Sequence, residues 1–199
     1  DHAVTSDGLD AERIEVLRGS AALAYGGNAI GGVVNVIDQS IPTRAIDGVE
    51  ADALAAYSTV DTGLQGAFSA GFGVGDLAFR LSASAREADP YDTPVGEALN
   101  QWTSLRSFGA GGALVRDWGF AGLALKTTQD EYGLLPEDPA EPGGHIEMEQ
   151  TRIETRGDFR GDFGPFERLD YGFQHSDYEH TEFEGGGEPG TTFISEGYE

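Results

Sequence analysis

Leu77-Ala78-Phe79-Arg80-Leu81-Ser82-Ala83-Ser84-Ala85-Arg86 puts Leu77, Phe79, Leu81, Ala83 and Ala85 on one side of an extended chain and Arg80, Ser82, Ser84 and Arg86 on the other. Successive side chains of a strand point to opposite faces, so this run makes a strand with one apolar and one polar face. The period returns twice downstream. Ile153, Thr155, Gly157 and Phe159 oppose Arg152, Glu154, Arg156, Asp158 and Arg160, and Leu169, Tyr171 and Phe173 oppose Arg168, Asp170, Gly172 and Gln174.

Working outward, seven strands are expected near 50–58, 64–74, 77–87, 103–116, 119–129, 150–162 and 166–180, with an eighth starting at Tyr198. Tight turns are expected at Gly73-Val74-Gly75-Asp76, Arg116-Asp117-Trp118-Gly119 and Asp162-Phe163-Gly164-Pro165. Between them lie longer polar stretches, Asp89 to Asn100, Gly133 to Glu149 and Gly185 to Glu196. Short turns at one end and long loops at the other are the pattern of an outer-membrane β-barrel, whereas a soluble sandwich has no reason to sort its connections. Seven antiparallel strands leave open edges, which lipid does not tolerate, so the strands are expected to belong to a larger barrel.

Composition narrows the function. The chain has 199 residues, 35 acidic side chains against 12 basic ones, a net charge of −23, 30 glycines and no cysteine. Glycine is well above its usual share of about 7%. No cysteine means no disulfide framework and no thiolate metal site. The negative charge would repel phosphate backbones, so nucleic acid is not an expected partner. There is no apolar run of membrane-helix length, and the opening Asp1-His2-Ala3 does not look like a signal peptide.

Residues 1–46 have a different texture from 47–199. Arg13 to Arg18 alternates as a strand, Ser20 to Tyr25 suits a helical turn or two, and Gly31 to Ile37 reads as a second, β-branched strand. Ala11-Glu12-Arg13-Ile14-Glu15-Val16-Leu17-Arg18-Gly19, followed by Ala22-Leu23-Ala24-Tyr25-Gly26 and Ala29-Ile30-Gly31-Gly32-Val33-Val34-Asn35-Val36-Ile37, closely resembles the end of the plug domain of TonB-dependent outer-membrane receptors. Ser20 stands where that family usually has proline. The resemblance implies a small α+β plug fragment over residues 1–46, then over 47–199 the first strands of a transmembrane β-barrel of about 22 strands. The fold expected is thus all-β dominated, a partial antiparallel barrel behind a plug. It also implies an outer-membrane location and energy from the inner-membrane TonB complex acting on an upstream plug segment.

The opening Asp1-His2-Ala3-Val4 and the stretch from His145 to Glu199 are similar to the zinc-uptake branch of that family, which implies that Asp1 and His2 help bind zinc as the transported ligand. The chemistry agrees, since zinc takes His nitrogen and carboxylate oxygen. The other candidate ligands are His180 with Glu182, and His145 with Glu147, each pair at spacing two. His175, beside Tyr171 and Phe173, reads as a lipid-facing or girdle residue. Asp130, Glu131, Glu137, Asp138, Glu141, Glu147 and Glu149 are read as one acidic loop, a funnel that raises the local cation concentration.

Enzymatic chemistry is not expected. Gly32 stands where a phosphate-binding loop needs lysine, and there is no HExxH, EF-hand or GxSxG spacing. Two other functions fit the pattern. A siderophore or vitamin-complex receptor shares the plug and barrel but calls for aromatic and arginine-rich loops. A soluble acidic cation-binding β-protein calls for a further protein layer over the rows Leu77/Phe79/Leu81 and Leu169/Tyr171/Phe173.

Overall fold

The computed structural model describes residues 11–20, 22, 31–136, 138 and 140–198. Its regular elements are strands: β1 (Ala11–Leu17), β2 (Val33–Asp38), β3 (Val49–Tyr57), β4 (Leu64–Val74), β5 (Leu77–Ala88), β6 (Asp92–Thr93), β7 (Gly96–Glu97), β8 (Thr103–Arg116), β9 (Gly119–Gly133), β10 (His145–Phe163), β11 (Phe166–Phe183) and β12 (Pro189–Tyr198). Eight of them form one antiparallel sheet in the order β12-β11-β10-β9-β8-β5-β4-β3. Because β6 and β7 pair only with each other, the sheet is a plain up-and-down meander. β1 and β2 form a separate antiparallel pair.

All seven strands read from the alternation are present, and the differences lie at their long-loop ends. β9 runs to Gly133, β10 starts at His145 and β11 reaches Phe183, while β12 begins at Pro189 instead of Tyr198. The acidic, threonine-rich ends of these strands look like loop by composition; backbone pairing with a neighbour carries them on as strand regardless. The helical turn expected from Ser20 to Tyr25 lies largely outside the described residues, of which Gly19, Ser20 and Ala22 sit in a short 3₁₀ turn.

The connections sort as expected. Gly75-Asp76, Asp117-Trp118 and Gly164-Pro165 are two-residue turns at one end of the sheet. Gly75 and Gly164 take φ of 61° and 76°, a region open to glycine at no steric cost. At the other end the connections are longer, at 58–63, 89–102, 134–144 and 184–188.

The two faces of the sheet differ in exposure, the apolar one being the more open. Its bare face carries Leu123 at 64% exposure and Leu169 at 55%, together with Leu64, Phe68, Leu77, Leu81, Phe108 and Phe173. Its covered face holds Arg80 and Asp158 at 7% and Asp130 at 3%. Segment 39–48 crosses part of that polar face and supplies its cover. Ile41 packs between Ala113 and Ala124, against Val115 and Phe120. Glycines on the sheet make the room: a Cβ on Gly111 would run into the Ser40 carbonyl oxygen and one on Gly73 into that of Ile46, while one on Gly122 would lie 2.5 Å from Ile41 Cγ2.

Candidate functional site

Asp1, His2 and Glu137 lie outside the described residues. Among the other candidates, His180 faces the polar side of the sheet. Its row in the register is Leu105, Asp130, Met148, His180, Phe193 across β8, β9, β10, β11 and β12. The imidazole stacks on Phe193 at 4.7 Å and meets the edge of Tyr178 at 5.4 Å. Its Nε2 lies 4.0 Å from Glu182 Oε1. Asp130 sits two strands away in the same row, and Thr103 Oγ1 donates to it at 3.4 Å. Burial, then Tyr132 and Asp130, push the Tyr178 hydroxyl above its ordinary 10.0.

His145 and Glu147 face the other way. The His145 ring stacks on Phe183 at 4.5 Å, and its Nε2 is 3.5 Å from Glu147 Oε1. Trp102, 6.0 Å from His145, donates through Nε1 to Asn100, and Asn100 Nδ2 donates to the carbonyls of Leu134 and Gly144. The two histidine–carboxylate pairs therefore stand on opposite sides of one sheet. His175 is on the same side as His145, stacked on Tyr198 at 4.6 Å with Asp177 3.2 Å away.

The six described acids of the expected funnel do not share a loop. Asp130 and Glu131 end β9, Glu147 and Glu149 begin β10, and Asp138 and Glu141 lie between. Strand alternation then divides them again: Asp130 points to the polar face, and Glu131, Glu147 and Glu149 to the opposite one. Glu147 stands directly across from Glu131, and Glu149 from Glu179. Among the described residues, no three His, Asp or Glu side chains converge as a metal-binding group.

One charged cluster had no signal in the sequence. Asp38, at the end of β2, receives Arg152 Nη2 at 2.7 Å, and Lys126 Nζ lies 3.6 Å from the same carboxylate oxygen. Lys126 and Arg152 are cross-strand partners on β9 and β10. The Ser40 amide donates to the other Asp38 oxygen at 3.0 Å. Only register brings residues 114 positions apart to one point. Burial alone would raise the Asp38 carboxyl; the Ser40 amide, Arg152 and Lys126 outweigh it and hold it below its ordinary 3.8.

The sign follows from linkage. A carboxyl lowered in the folded state stabilises fully above its unfolded pKa, and that contribution fades as pH falls through the lower folded value. Acid titration followed by amide exchange at 39–46 should therefore leave this segment protected down to about pH 4 and release it only below. In Asp38→Asn the acid-dependent step should vanish.

The chain matches no known family model.

Proposed function

We propose that this chain is part of a TonB-dependent outer-membrane receptor that admits a scarce extracellular cation, zinc. The observation that carries the reading is the asymmetry of the sheet, with aliphatic and aromatic side chains bare on one face and arginine, aspartate and histidine covered on the other. Such a face is stable against hydrocarbon, and a barrel with a wet interior needs charge on its inner wall.

The shape of the apolar band adds weight. Its upper limit is Leu64 on β4, Ala85 on β5, Phe108 on β8, Leu125 on β9, Ile153 on β10 and Phe173 on β11. In the register this limit steps toward the short turns at four of the five strand junctions, and stays level between Leu125 and Ile153: Leu64 pairs with Glu87, two residues above Ala85, and Ala85 pairs with Arg106, two residues above Phe108. A flat slab cut by tilted strands gives this drift. On β4 the band spans the 11 residues Leu64–Val74. At about 3.3 Å per residue and a tilt of about 40°, that is a height of about 25 Å, the hydrophobic thickness of an outer-membrane barrel. Trp118 stacked on Phe159 at 5.1 Å marks the rim at the turn end, as interfacial aromatics do. β9, β10 and β11 continue well past the band, as strands raised above the membrane would.

In this reading β1, β2 and segment 39–46 are the end of the plug, and the polar face is the wall of the lumen. His180, Glu182 and Asp130 then line the route inward from the extracellular side, with Asp1 and His2 as the plug ligands that the family resemblance implies. Carboxylates at the mouth concentrate cations ahead of capture. Nitrogen and carboxylate donors bind zinc without the permanence of a thiolate cage, so the cargo can be released. The acidic loops disfavour an anionic ferric-siderophore. No covalent step is involved; energy comes from the TonB complex, and binding alters the plug.

The test is zinc uptake by cells carrying the intact receptor. Asp1→Ala/His2→Ala should lower uptake about tenfold, as expected for loss of ligands to the ion, and His180→Ala should lower it severalfold. His145→Ala should leave it unchanged, because that ring faces away from the lumen. Undiminished zinc binding in the Asp1/His2 variant would remove the plug site. Recovery of the protein from the soluble fraction without detergent would remove the receptor.

A further inference from the structure

The bare face of the sheet has a low place near its short-turn end. One register row there runs Phe72, Phe79, Gly112, Leu123 across β4, β5, β8 and β9. Gly112 has no side chain, and the Phe79 ring takes its place: an added Cβ would lie 3.0 and 3.2 Å from two ring carbons. Phe79 also stacks on Phe72 at 5.1 Å, which holds both rings near the sheet. The rows on either side of Gly112 bring only Ala110 and Ala121 to this spot. Leu77, Leu81 and Leu123 stand around it at 45%, 51% and 64% exposure. The result is an apolar groove of about 540 Å³, within the size range of small-ligand sites. At its turn end the chemistry changes. Arg116 follows Leu114 on the same face of β8, and Asp76 immediately precedes Leu77. Arg116 Nε bonds Asp76 at 2.7 Å, and both side chains remain half-exposed. The Val115 amide donates to the Asp76 carbonyl at 2.8 Å, which fixes the turn, and so the pair, at the mouth of the groove.

We propose that this groove holds an acyl chain of a zwitterionic phospholipid, phosphatidylethanolamine in chemistry, whose phosphate meets Arg116 and whose ammonium meets Asp76. The site rests on the receptor reading, because only a sheet set in a bilayer presents this face to lipid. Charge complementarity selects the headgroup. Arginine has five N–H donors and Asp76 takes one of them, so phosphate oxygens can be received without breaking the pair. A purely anionic headgroup would gain the arginine but face the Asp76 carboxylate, on a chain of net charge −23. Position agrees with charge: the apolar band ends on β4 at Val74, one turn residue short of Asp76. Within lipid, one apolar surface is no better than another, so the hydrophobic effect does not retain the chain. Contact does, since a groove touches a chain on its sides as well as beneath, and each added atom pair contributes dispersion.

Photocrosslinking tests this in the intact receptor, reconstituted in vesicles of mixed phosphatidylethanolamine and phosphatidylglycerol. The probe is a trace phospholipid with a diazirine on one acyl chain and either headgroup, and labelled peptides are mapped by mass spectrometry. The phosphatidylethanolamine probe should label 77–81 and 110–123 severalfold more than 169–173, a segment of the same face with comparably exposed Leu169 and Phe173. The phosphatidylglycerol probe should label the groove less by up to about fivefold, the size of one exposed charge contact. Ala110→Phe, which fills the groove from an exposed position, should bring its labelling down to that of 169–173. Arg116→Ala should fold as wild type does and erase the headgroup preference; if the Ala110 variant is not recovered folded, this arm decides alone. Equal labelling of groove and 169–173 in wild type would mean an ordinary lipid shell and overturn the site. So would equal labelling by the two headgroups. Labelling of the groove below that of 169–173, with receptor–receptor crosslinks, would give the groove to a second copy and also overturn it. No labelling of either segment would mean that the face does not meet lipid, and the receptor reading would fall with the site.

Discussion

Leu123→Arg should block assembly of the protein into the outer membrane, whereas Gln129→Arg on the same strand and face should be tolerated. Leu123 is 64% exposed on the bare face of β9, between Gly112 on β8 and Thr155 on β10. In water, a charge at so open a position costs almost nothing; surface substitutions away from special features stay within about 0.5 kcal/mol. In hydrocarbon the same side chain costs about 2–4 kcal/mol near the midplane of a barrel strand and much less toward the interface. Gln129 lies above the apolar band, opposite Glu149 and Arg106, where a new arginine gains a carboxylate neighbour. The measurement is the heat-modifiable, folded fraction recovered from outer membranes. Equal recovery of both variants would mean that Leu123 faces water or protein, and the membrane assignment would have to be abandoned.

The contrast between these two sites also marks what the sequence could convey. Leu77/Phe79/Leu81 against Arg80/Ser82/Ser84, and Leu169/Tyr171/Phe173 against Arg168/Asp170/Gln174, fix strands and faces because a period of two needs no partner to be recognised. Turn residues are equally local, and Gly75 and Gly164 stand where positive φ is required. β12 was hidden because Thr191, Thr192, Ser195 and Glu196 are polar on both faces and leave no period to read. The run from Asp130 to Glu149 reads as one loop because carboxylates dominate it, although β9 and β10 remain paired up to Gly133 and His145. Within a strand, neighbouring acids face opposite ways, so Asp130 and Glu131 cannot serve the same site. His180 and Asp130 share a row only through Met148, and Asp38 meets Arg152 only through the register of β10 on β9. Contacts between strands depend on relative alignment, which no single segment encodes.

The second large effect belongs to the glycines under the crossing segment, and a matched pair of substitutions isolates it. Gly111 and Gly172 both lie in strand interiors with side-chain positions on the polar face, in β8 and β11. Glycine weakens a strand by leaving backbone entropy to be lost, so replacement should help wherever there is space. Gly172 has nothing within 4 Å of an added Cβ. Gly172→Val should therefore be neutral or slightly stabilising, by up to about 1 kcal/mol. At Gly111 the added carbon meets the Ser40 carbonyl oxygen and stands 3.0 Å from both Ala124 Cβ and the Leu123 carbonyl oxygen. Two of these three neighbours are backbone and cannot rotate away. Relief requires lifting Ser40 and Ile41 off Ala113 and Ala124, so Gly111→Val should cost about 1–3 kcal/mol, as overpacking does. The loss should appear first as faster amide exchange at 39–46, ahead of any change in the β8–β9 ladder. Thermal unfolding of the two variants in detergent, run beside exchange, measures both quantities. If Gly111→Val proves as stable as Gly172→Val, segment 39–46 does not lie on the sheet at this distance. The cover over this part of the polar face would then have to come from elsewhere.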